Sequence, residues 1–161
     1  MHIYIVTTGG TIDKVYFDAK SSYHIGHPVI ERLLTEMDVS FTYEIHPLMR
    51  VDSLEMTDVH RAQLAECITA LPDGARVIVT HGTDTMTTSA QYLGPMSSKT
   101  VVFTGALQPA AFRDSDAIFS IGCALGAVQM ADSGVFIAMN GRVFTAAGAT
   151  KNLSKNRFED I

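Results

Sequence analysis

Residues 76–85 have the sequence RVIVTHGTDT, in which a short apolar run is followed at once by small and polar residues. Val77, Ile78 and Val79 are consecutive and apolar, as in a strand that is buried on both faces of a parallel sheet. The polar residues begin where such a strand would end. Buried strands of this kind are typical of proteins in which strands and helices alternate along the chain.

The same pattern recurs on both sides of this segment. Short β-rich apolar runs are predicted strands, and windows with apolar residues at helical spacing are predicted helices. The predicted strands are residues 3–6, 41–49, 76–80, 100–104 and 135–139. The predicted helices are residues 28–37, 57–71, 89–96 and 114–131. The alternation predicts a single α/β domain with a mostly parallel sheet flanked by helices on both faces, a Rossmann-like or flavodoxin-like three-layer sandwich.

The end of the chain breaks this pattern. From Gly141 onward the apolar periodicity fades, and Lys151, Lys155 and Arg157 accumulate. We therefore expect an irregular tail there and not a packed element.

Composition excludes several functional classes. A chain of 161 residues with 47% hydrophobic and 18% charged residues is expected to form one domain with a real core. A formal charge of -5 without a basic run argues against nucleic-acid or anionic-membrane partners. There is no apolar run long enough to span a bilayer and no secretory signal pattern, so we expect a cytoplasmic protein. Cys67 and Cys123 lack metal-site spacing and are predicted to be reduced thiols.

Ligands of open α/β sheets bind at the carboxyl ends of the strands, where this chain carries unusual residues. After the first strand, Gly9 and Gly10 allow positive φ angles and a close backbone approach, next to the hydroxyl of Thr11. Such a hydroxyl can attack a carbonyl. The segment has no GxGxxG or GK[ST] pattern, so phosphate binding is disfavoured. The alternative is an ordinary Gly-Gly turn.

A second polar segment follows the strand at residues 76–80. Asp84 and Thr85 are good N-cap residues for a following helix, so simple capping is one interpretation. The other is a binding site, because a carboxylate beside the hydroxyl of Thr83 can hold an ammonium group and position a water molecule. His81 is predicted to be a buried, hydrogen-bonded structural residue and not a base.

Together these motifs resemble those of a known family. Residues 8–12 (TGGTI) and 81–85 (HGTDT) are similar to the two signature motifs of the bacterial-type L-asparaginase/glutaminase family. Residues 23–26 resemble its flexible tyrosine loop, and residues 52–56 resemble its substrate-carboxylate loop. The segment 104–106 and the region around Lys151 also resemble parts of its site. The resemblance covers essentially the whole chain, and it implies the family's N-terminal domain without its C-terminal domain.

The resemblance implies a set of roles. Thr11 is the implied nucleophile that attacks a side-chain amide and gives an acyl-enzyme, and Tyr23 is its partner. The implied catalytic residues opposite them are Thr83, Asp84 and Lys151. The implied substrate-binding residues are Ser53, Gly10, Gly82 and Ala106. Tyr16 is an alternative to Tyr23, and Lys155 is an alternative to Lys151.

The expected function is hydrolysis of L-asparagine to L-aspartate and ammonia, without a metal or other cofactor. The expected partner is a small amino-acid substrate. A homo-oligomer, either a dimer or a tetramer, is also expected, because the resemblance does not extend to the domain that normally covers the site in this family. Two other functions stay open. One is a non-catalytic domain that binds aspartate or asparagine, and the other is an amidase acting on glutamine or a related amide.

Overall fold

The computed structural model describes residues 1–17 and 22–161. Its main sheet contains β1 (His2–Thr7), β4 (Thr42–Pro47), β5 (Arg76–Thr80), β6 (Thr100–Thr104), β7 (Gly134–Met139) and β8 (Arg142–Thr145). Their order is β4-β1-β5-β6-β7-β8. The first five strands are parallel and β8 runs antiparallel to β7. The predicted α/β fold with a mostly parallel sheet is confirmed.

In this described part of the chain, four helices cover the sheet, two on each face. The helices α1 (Ile30–Glu36) and α4 (Ala117–Met130) bury Leu34 and Ala124 against one face. The helices α2 (Asp58–Thr69) and α3 (Met86–Tyr92) bury Leu64 and Met86 against the other. Each predicted helix is therefore present, but α3 begins at residue 86 and not at residue 89. The three-layer arrangement follows from strands that are apolar on both faces.

The predicted irregular tail is wrong. The strand β8 is followed by a hairpin of β9 (Ala149–Asn152) and β10 (Arg157–Asp160). The side chains of Phe144 and Phe158 are 3% and 2% exposed, because both pack into the core on the α2 and α3 face. Two buried aromatic side chains stabilise this segment although it has no long periodic pattern.

A second small hairpin follows the first strand. The residues Thr11–Asp13 form one 3₁₀ turn, and β2 (Lys14–Phe17) then pairs antiparallel with β3 (Ser22–Ile25). The amide of Gly26 donates a 2.8 Å hydrogen bond to the carbonyl of Asp13, which closes the base of the hairpin. The hairpin therefore begins immediately after the turn that carries the predicted nucleophile.

Candidate active site

The strand order places the two threonine motifs side by side. The strands β1 and β5 are parallel neighbours, with Thr7 opposite Thr80 at their carboxyl ends. The next strand of the main sheet along the chain, β4, lies on one side of β1. The strands that follow it, β5 and β6, lie on the other side. This reversal of strand order makes the β1 and β5 ends a topological switch point, the place where open α/β sheets bind ligands.

Glycines allow the loops at this point to touch. Gly10 has a φ of 95°, and a Cβ on it would lie 2.4 Å from the backbone nitrogen of Gly82. A Cβ on Gly82 would in turn lie 2.5 Å from the Cβ of Ser53. Neither contact leaves room for a side chain. The three segments that carry Thr11, Ser53 and Thr83 are therefore in direct contact.

Lys151 joins the second threonine motif from a strand far along the chain. Its Nζ donates to Thr83 Oγ1 at 2.8 Å and to Asp84 Oδ1 at 2.6 Å. The lysine side chain is 7% exposed, whereas the Asp84 side chain is 37% exposed. An ammonium group that donates to a threonine oxygen lowers the cost of negative charge there. The other candidate lysine, Lys155, instead pairs with Glu159 at 3.3 Å on the exposed side of the hairpin.

Ser53 is held by the loop that follows β5. Its Oγ accepts a 3.3 Å hydrogen bond from the amide of Asp84, and its carbonyl accepts one of 2.7 Å from Thr85 Oγ1. The Thr85 hydroxyl thus links the start of α3 to Ser53. It makes no capping hydrogen bond to the described residues of that helix. Asp84 is engaged by Lys151, so neither side chain is explained by helix capping. The residue Leu54, next to Ser53, is 77% exposed.

The tyrosines lie on the hairpin. Tyr16 and Tyr23 are directly opposite each other across β2 and β3, and their ring centroids are 5.3 Å apart. The ring of Tyr23 also contacts Phe112, with a centroid distance of 6.2 Å. Each tyrosine is about half exposed, so both side chains are accessible at the surface of the hairpin. The two positions are not equivalent, because Tyr23 lines a cavity together with Asp52 and Leu54 and Tyr16 does not.

His81 is the centre of a buried hydrogen-bond network behind this loop. Its Nδ1 lies 2.7 Å from the carbonyl of Gly82, and its Nε2 lies 2.9 Å from Ser89 Oγ. A carbonyl only accepts, so Nδ1 carries the proton and the Ser89 hydroxyl donates to Nε2. Burial lowers the pKa of His81 to about 4, which keeps the ring neutral. Arg61 Nε completes the network by donating to Ser89 Oγ at 3.1 Å.

Three further polar residues of this region lie outside the predicted site, namely Asp13, Arg61 and Ser89. The carboxylate of Asp13 lies in the turn that begins with Thr11 and accepts a 2.8 Å hydrogen bond from the amide of Val29. Burial raises its pKa to about 6, against the opposing effects of that hydrogen bond and of Arg50. The sequence does indicate Asp13, because its carboxylate follows the candidate nucleophile Thr11 by only two positions.

The segment that follows β6 packs closely against the loop that follows β5. A Cβ on Gly105 would lie 2.3 Å from the carbonyl of His81, and Ala106 is 1% exposed. The segment after β6 therefore packs directly against the backbone of the loop after β5. Within residues 1–17 and 22–161, no three carboxylate, imidazole or thiol groups cluster in a way that could hold a metal ion. None of the helices in that part of the chain is both long and apolar enough to cross a bilayer.

The chain is similar to asparaginases along almost its whole length. The model of the asparaginase N-terminal domain matches residues 2–159. A probable periplasmic L-asparaginase of Haemophilus influenzae is 32% identical over 164 residues, which span 93% of this chain and 46% of that protein. L-asparaginase 2 of Escherichia coli is 30% identical over 161 residues, covering 93% of this chain and 46% of that protein.

Solved structures agree with the fold. L-asparaginase I of Vibrio cholerae superimposes with a TM-score of 0.83 at 26% identity, covering 99% of this chain and 51% of that one. The thermostable L-asparaginase of Thermococcus kodakarensis has a TM-score of 0.84 at 22% identity, covering 100% of this chain and 51% of that one. The chain thus spans about half the length of the relatives that it matches. From the domain match and the shared fold, we conclude that this chain belongs to the asparaginase family.

Proposed function

We propose that this chain is an amidohydrolase that converts L-asparagine to L-aspartate and ammonia, with Thr11 as the nucleophile. The observation that carries the proposal is the contact of Lys151 with both Thr83 and Asp84, at a switch point where the Gly10 turn touches Gly82. Family membership supports the same reaction class, since the Haemophilus influenzae relative is described as a probable L-asparaginase.

The reaction has two steps. The Oγ of Thr11 attacks the side-chain amide carbon, the C–N bond breaks, and the nitrogen leaves with an added proton as ammonia. Water then attacks the resulting ester, which releases aspartate and returns a proton to the Thr11 oxygen. Backbone N–H groups near Thr11 and Thr83 are suited to stabilise the oxyanion in both steps. Tyr23, or Tyr16 opposite it, relays this proton: the phenol accepts the proton of Thr11 as its own proton passes to the leaving nitrogen.

The remaining residues bind the substrate. Asp84 keeps 37% of its side chain exposed and can accept from the α-ammonium group of asparagine. Ser53 holds the α-carboxylate, while Gly10, Gly82 and Ala106 keep the floor of the site small. Lys151 favours a deprotonated Thr83 or an adjacent hydroxide, because its ammonium group donates directly to Thr83 Oγ1. These roles follow the family pattern residue by residue.

An ammonia-release assay tests the proposal. Wild type, Thr11→Ala, Thr83→Val and the control Thr35→Ala are compared on L-asparagine and L-glutamine. We expect asparagine turnover in wild type and in Thr35→Ala, whose residue is exposed on α1. We expect a loss of about 1,000-fold or more in the two site variants. Turnover that persists in Thr11→Ala would rule out this nucleophile.

Two outcomes would select other functions. Faster turnover of glutamine would make the chain a glutaminase, a possibility favoured by a 27% identical relative described as a glutaminase-asparaginase. Aspartate binding by calorimetry without turnover of any amide would make it a binding domain. A difference of one methylene changes selectivity by only about 1 to 3 kcal/mol, so the substrate panel is needed.

We further propose a cytoplasmic homo-oligomer. The rim of the site is open, with Leu54 77% and Tyr23 51% exposed, and a second copy of the chain would cover it. Both cysteines are free, as expected in a reducing compartment. Sedimentation at micromolar concentration tests the first part, and a fully active monomer would contradict it. Fractionation of the native cell tests the second part, and recovery of the protein outside the cytoplasm would contradict it.

A further inference from the structure

An ion pair joins two turns that carry different parts of the site. Lys14, the first residue of β2, places its Nζ 2.6 Å from Asp52 Oδ2. Their side chains are 29% and 26% exposed, so the pair is partly withdrawn from solvent. Lys14 follows Thr11 by three positions, and Asp52 directly precedes Ser53. The contact therefore bridges the segment of the nucleophile and the segment of the substrate-carboxylate turn.

The two oxygens of Asp52 make different contacts. Its Oδ1 accepts a 3.1 Å hydrogen bond from the amide of Leu54, which caps the short 3₁₀ turn Ser53–Glu55. Its Oδ2 pairs with Lys14. Burial alone would raise the pKa of Asp52, but the hydrogen bonds from Lys14 and Leu54 outweigh it and the pKa is lowered. Asp52 thus shapes its own turn and also reaches across to the hairpin.

The base of the β2–β3 hairpin is held by a second set of contacts, made by Asp13. Asp13 accepts from the amide of Gly26 through its carbonyl and from the amide of Val29 through its carboxylate, both at 2.8 Å. These bonds fix the base of the hairpin to the start of α1. Lys14 supplies the complementary link, from the hairpin to the turn at Ser53. A partly buried ion pair is screened less by salt than an exposed one, so it is suited to such a role.

We propose that Lys14 and Asp52 are positioning residues, which hold the β2–β3 hairpin with its tyrosines in register with the substrate-binding turn at Ser53. The catalytic consequence rests on the proposed function, whereas the structural part does not. Small displacements of a catalytic group slow a reaction markedly, by up to about 100-fold for 1 Å. Loss of either charge is therefore expected to reduce both substrate binding and turnover.

Hydrogen exchange tests the structural part. The variants are Lys14→Met, which keeps the aliphatic stem, Asp52→Asn, which keeps the acceptor for the amide of Leu54, and the two combined. We expect amide exchange at residues 14–17 and 22–26 to accelerate by about five-fold in each single variant and no further in the double variant. Glu36→Gln breaks the exposed Arg32–Glu36 pair on α1 and serves as the control, with unchanged exchange in the hairpin. Unchanged exchange in the single variants, or effects that multiply in the double variant, would overturn the proposal.

Kinetics tests the catalytic part. We expect kcat/KM to fall by about ten-fold in Lys14→Met and Asp52→Asn, with a rise in KM as well as a fall in kcat. The conservative Lys14→Arg keeps a cation at this position and is expected to restore most of kcat/KM. Values of kcat/KM within about two-fold of wild type in both charge-removing variants would refute the positioning role. If wild type hydrolyses no amide, the proposed function fails, and the exchange experiment still decides whether the pair holds the hairpin.

Discussion

The Nζ of Lys151 lies 2.8 Å from the Oγ1 of Thr83, although 68 positions separate the two residues along the chain. The contact is possible because β9 and β10 form a hairpin that packs onto the core beside α3. Phe158 is the residue directly opposite Lys151 in that hairpin, and it is 2% exposed. The position of the lysine thus depends on the packing of a phenylalanine from the neighbouring strand.

Replacing Lys151 by Met tests its proposed catalytic role. The variant removes the ammonium group that contacts Thr83 and Asp84 but keeps the aliphatic stem. We expect kcat/KM for asparagine to fall by about 100-fold or more, as for the loss of an acid-base or charge-stabilising group. Lys155→Met is the matched control and is expected to change kcat/KM by less than about two-fold, because Lys155 forms an exposed ion pair. The opposite ranking would identify Lys155 as the active-site lysine.

Phe158→Ala tests how the hairpin supports the site. We expect the free energy of unfolding to fall by about 3 to 5 kcal/mol, because a buried aromatic side chain is replaced by a cavity. We also expect a loss of activity in the protein that remains folded, because Lys151 lies on the paired strand. Leu153→Ala at the exposed tip of the same hairpin should change stability by less than about 0.5 kcal/mol. Urea denaturation and the ammonia assay provide both measurements, and equal effects of the two substitutions would contradict this account.

Gly10→Ala tests the close approach of the two threonine loops. The substitution places a Cβ 2.4 Å from the backbone nitrogen of Gly82, on a residue with a φ of 95°. Backbone strain and overpacking together are expected to lower the free energy of unfolding by about 3 kcal/mol or more. Gly122→Ala on the outer face of α4 meets open space and is expected to raise it by about 1 kcal/mol. Thermal denaturation distinguishes these opposite signs, and a neutral Gly10→Ala would show that the loops separate easily.

The sequence predicted the central part of the fold well, and for a physical reason. Strands buried on both faces have continuous apolar runs, so the segments around Val79 and Phe103 were recognisable without tertiary information. The polar residues after those strands then had to meet at one edge of the sheet. The two threonine motifs were predictable as neighbours on these grounds.

The end of the chain was not predicted, because its strands are only four residues long and each buries few apolar side chains. The turn before β8 does follow a local sequence pattern. Asn140 and Gly141 have φ angles of 54° and 73° and join β7 to β8, as in a tight hairpin turn. An Asn-Gly pair between β-rich segments predicts such a turn. The contact of Lys151 with Thr83, in contrast, depends on tertiary packing that no local pattern encodes.

Asp13 and His81 are buried groups whose pKa values move in opposite directions. Burial raises the pKa of Asp13 from 3.8 to about 6, so between these values the folded protein keeps a proton that the unfolded chain has released. This effect makes the free energy of unfolding fall as pH rises through that window. Burial lowers the pKa of His81 from 6.5 to about 4, so there the unfolded chain binds the extra proton. This second effect makes the free energy of unfolding rise with pH over nearly the same range.

The two effects nearly cancel in wild type, since each corresponds to about 3 kcal/mol at about 1.4 kcal/mol per pKa unit. Asp13→Asn removes one of them, and its amide oxygen can still accept from Val29. Between pH 4 and pH 6.5, we expect the free energy of unfolding of this variant to rise relative to wild type by about 2 to 3 kcal/mol. Urea denaturation across this range measures the difference, with Asp114→Asn at an exposed site as the control that keeps the wild-type profile. A difference that stays constant with pH would show that the carboxyl of Asp13 titrates alike in the folded and unfolded chain.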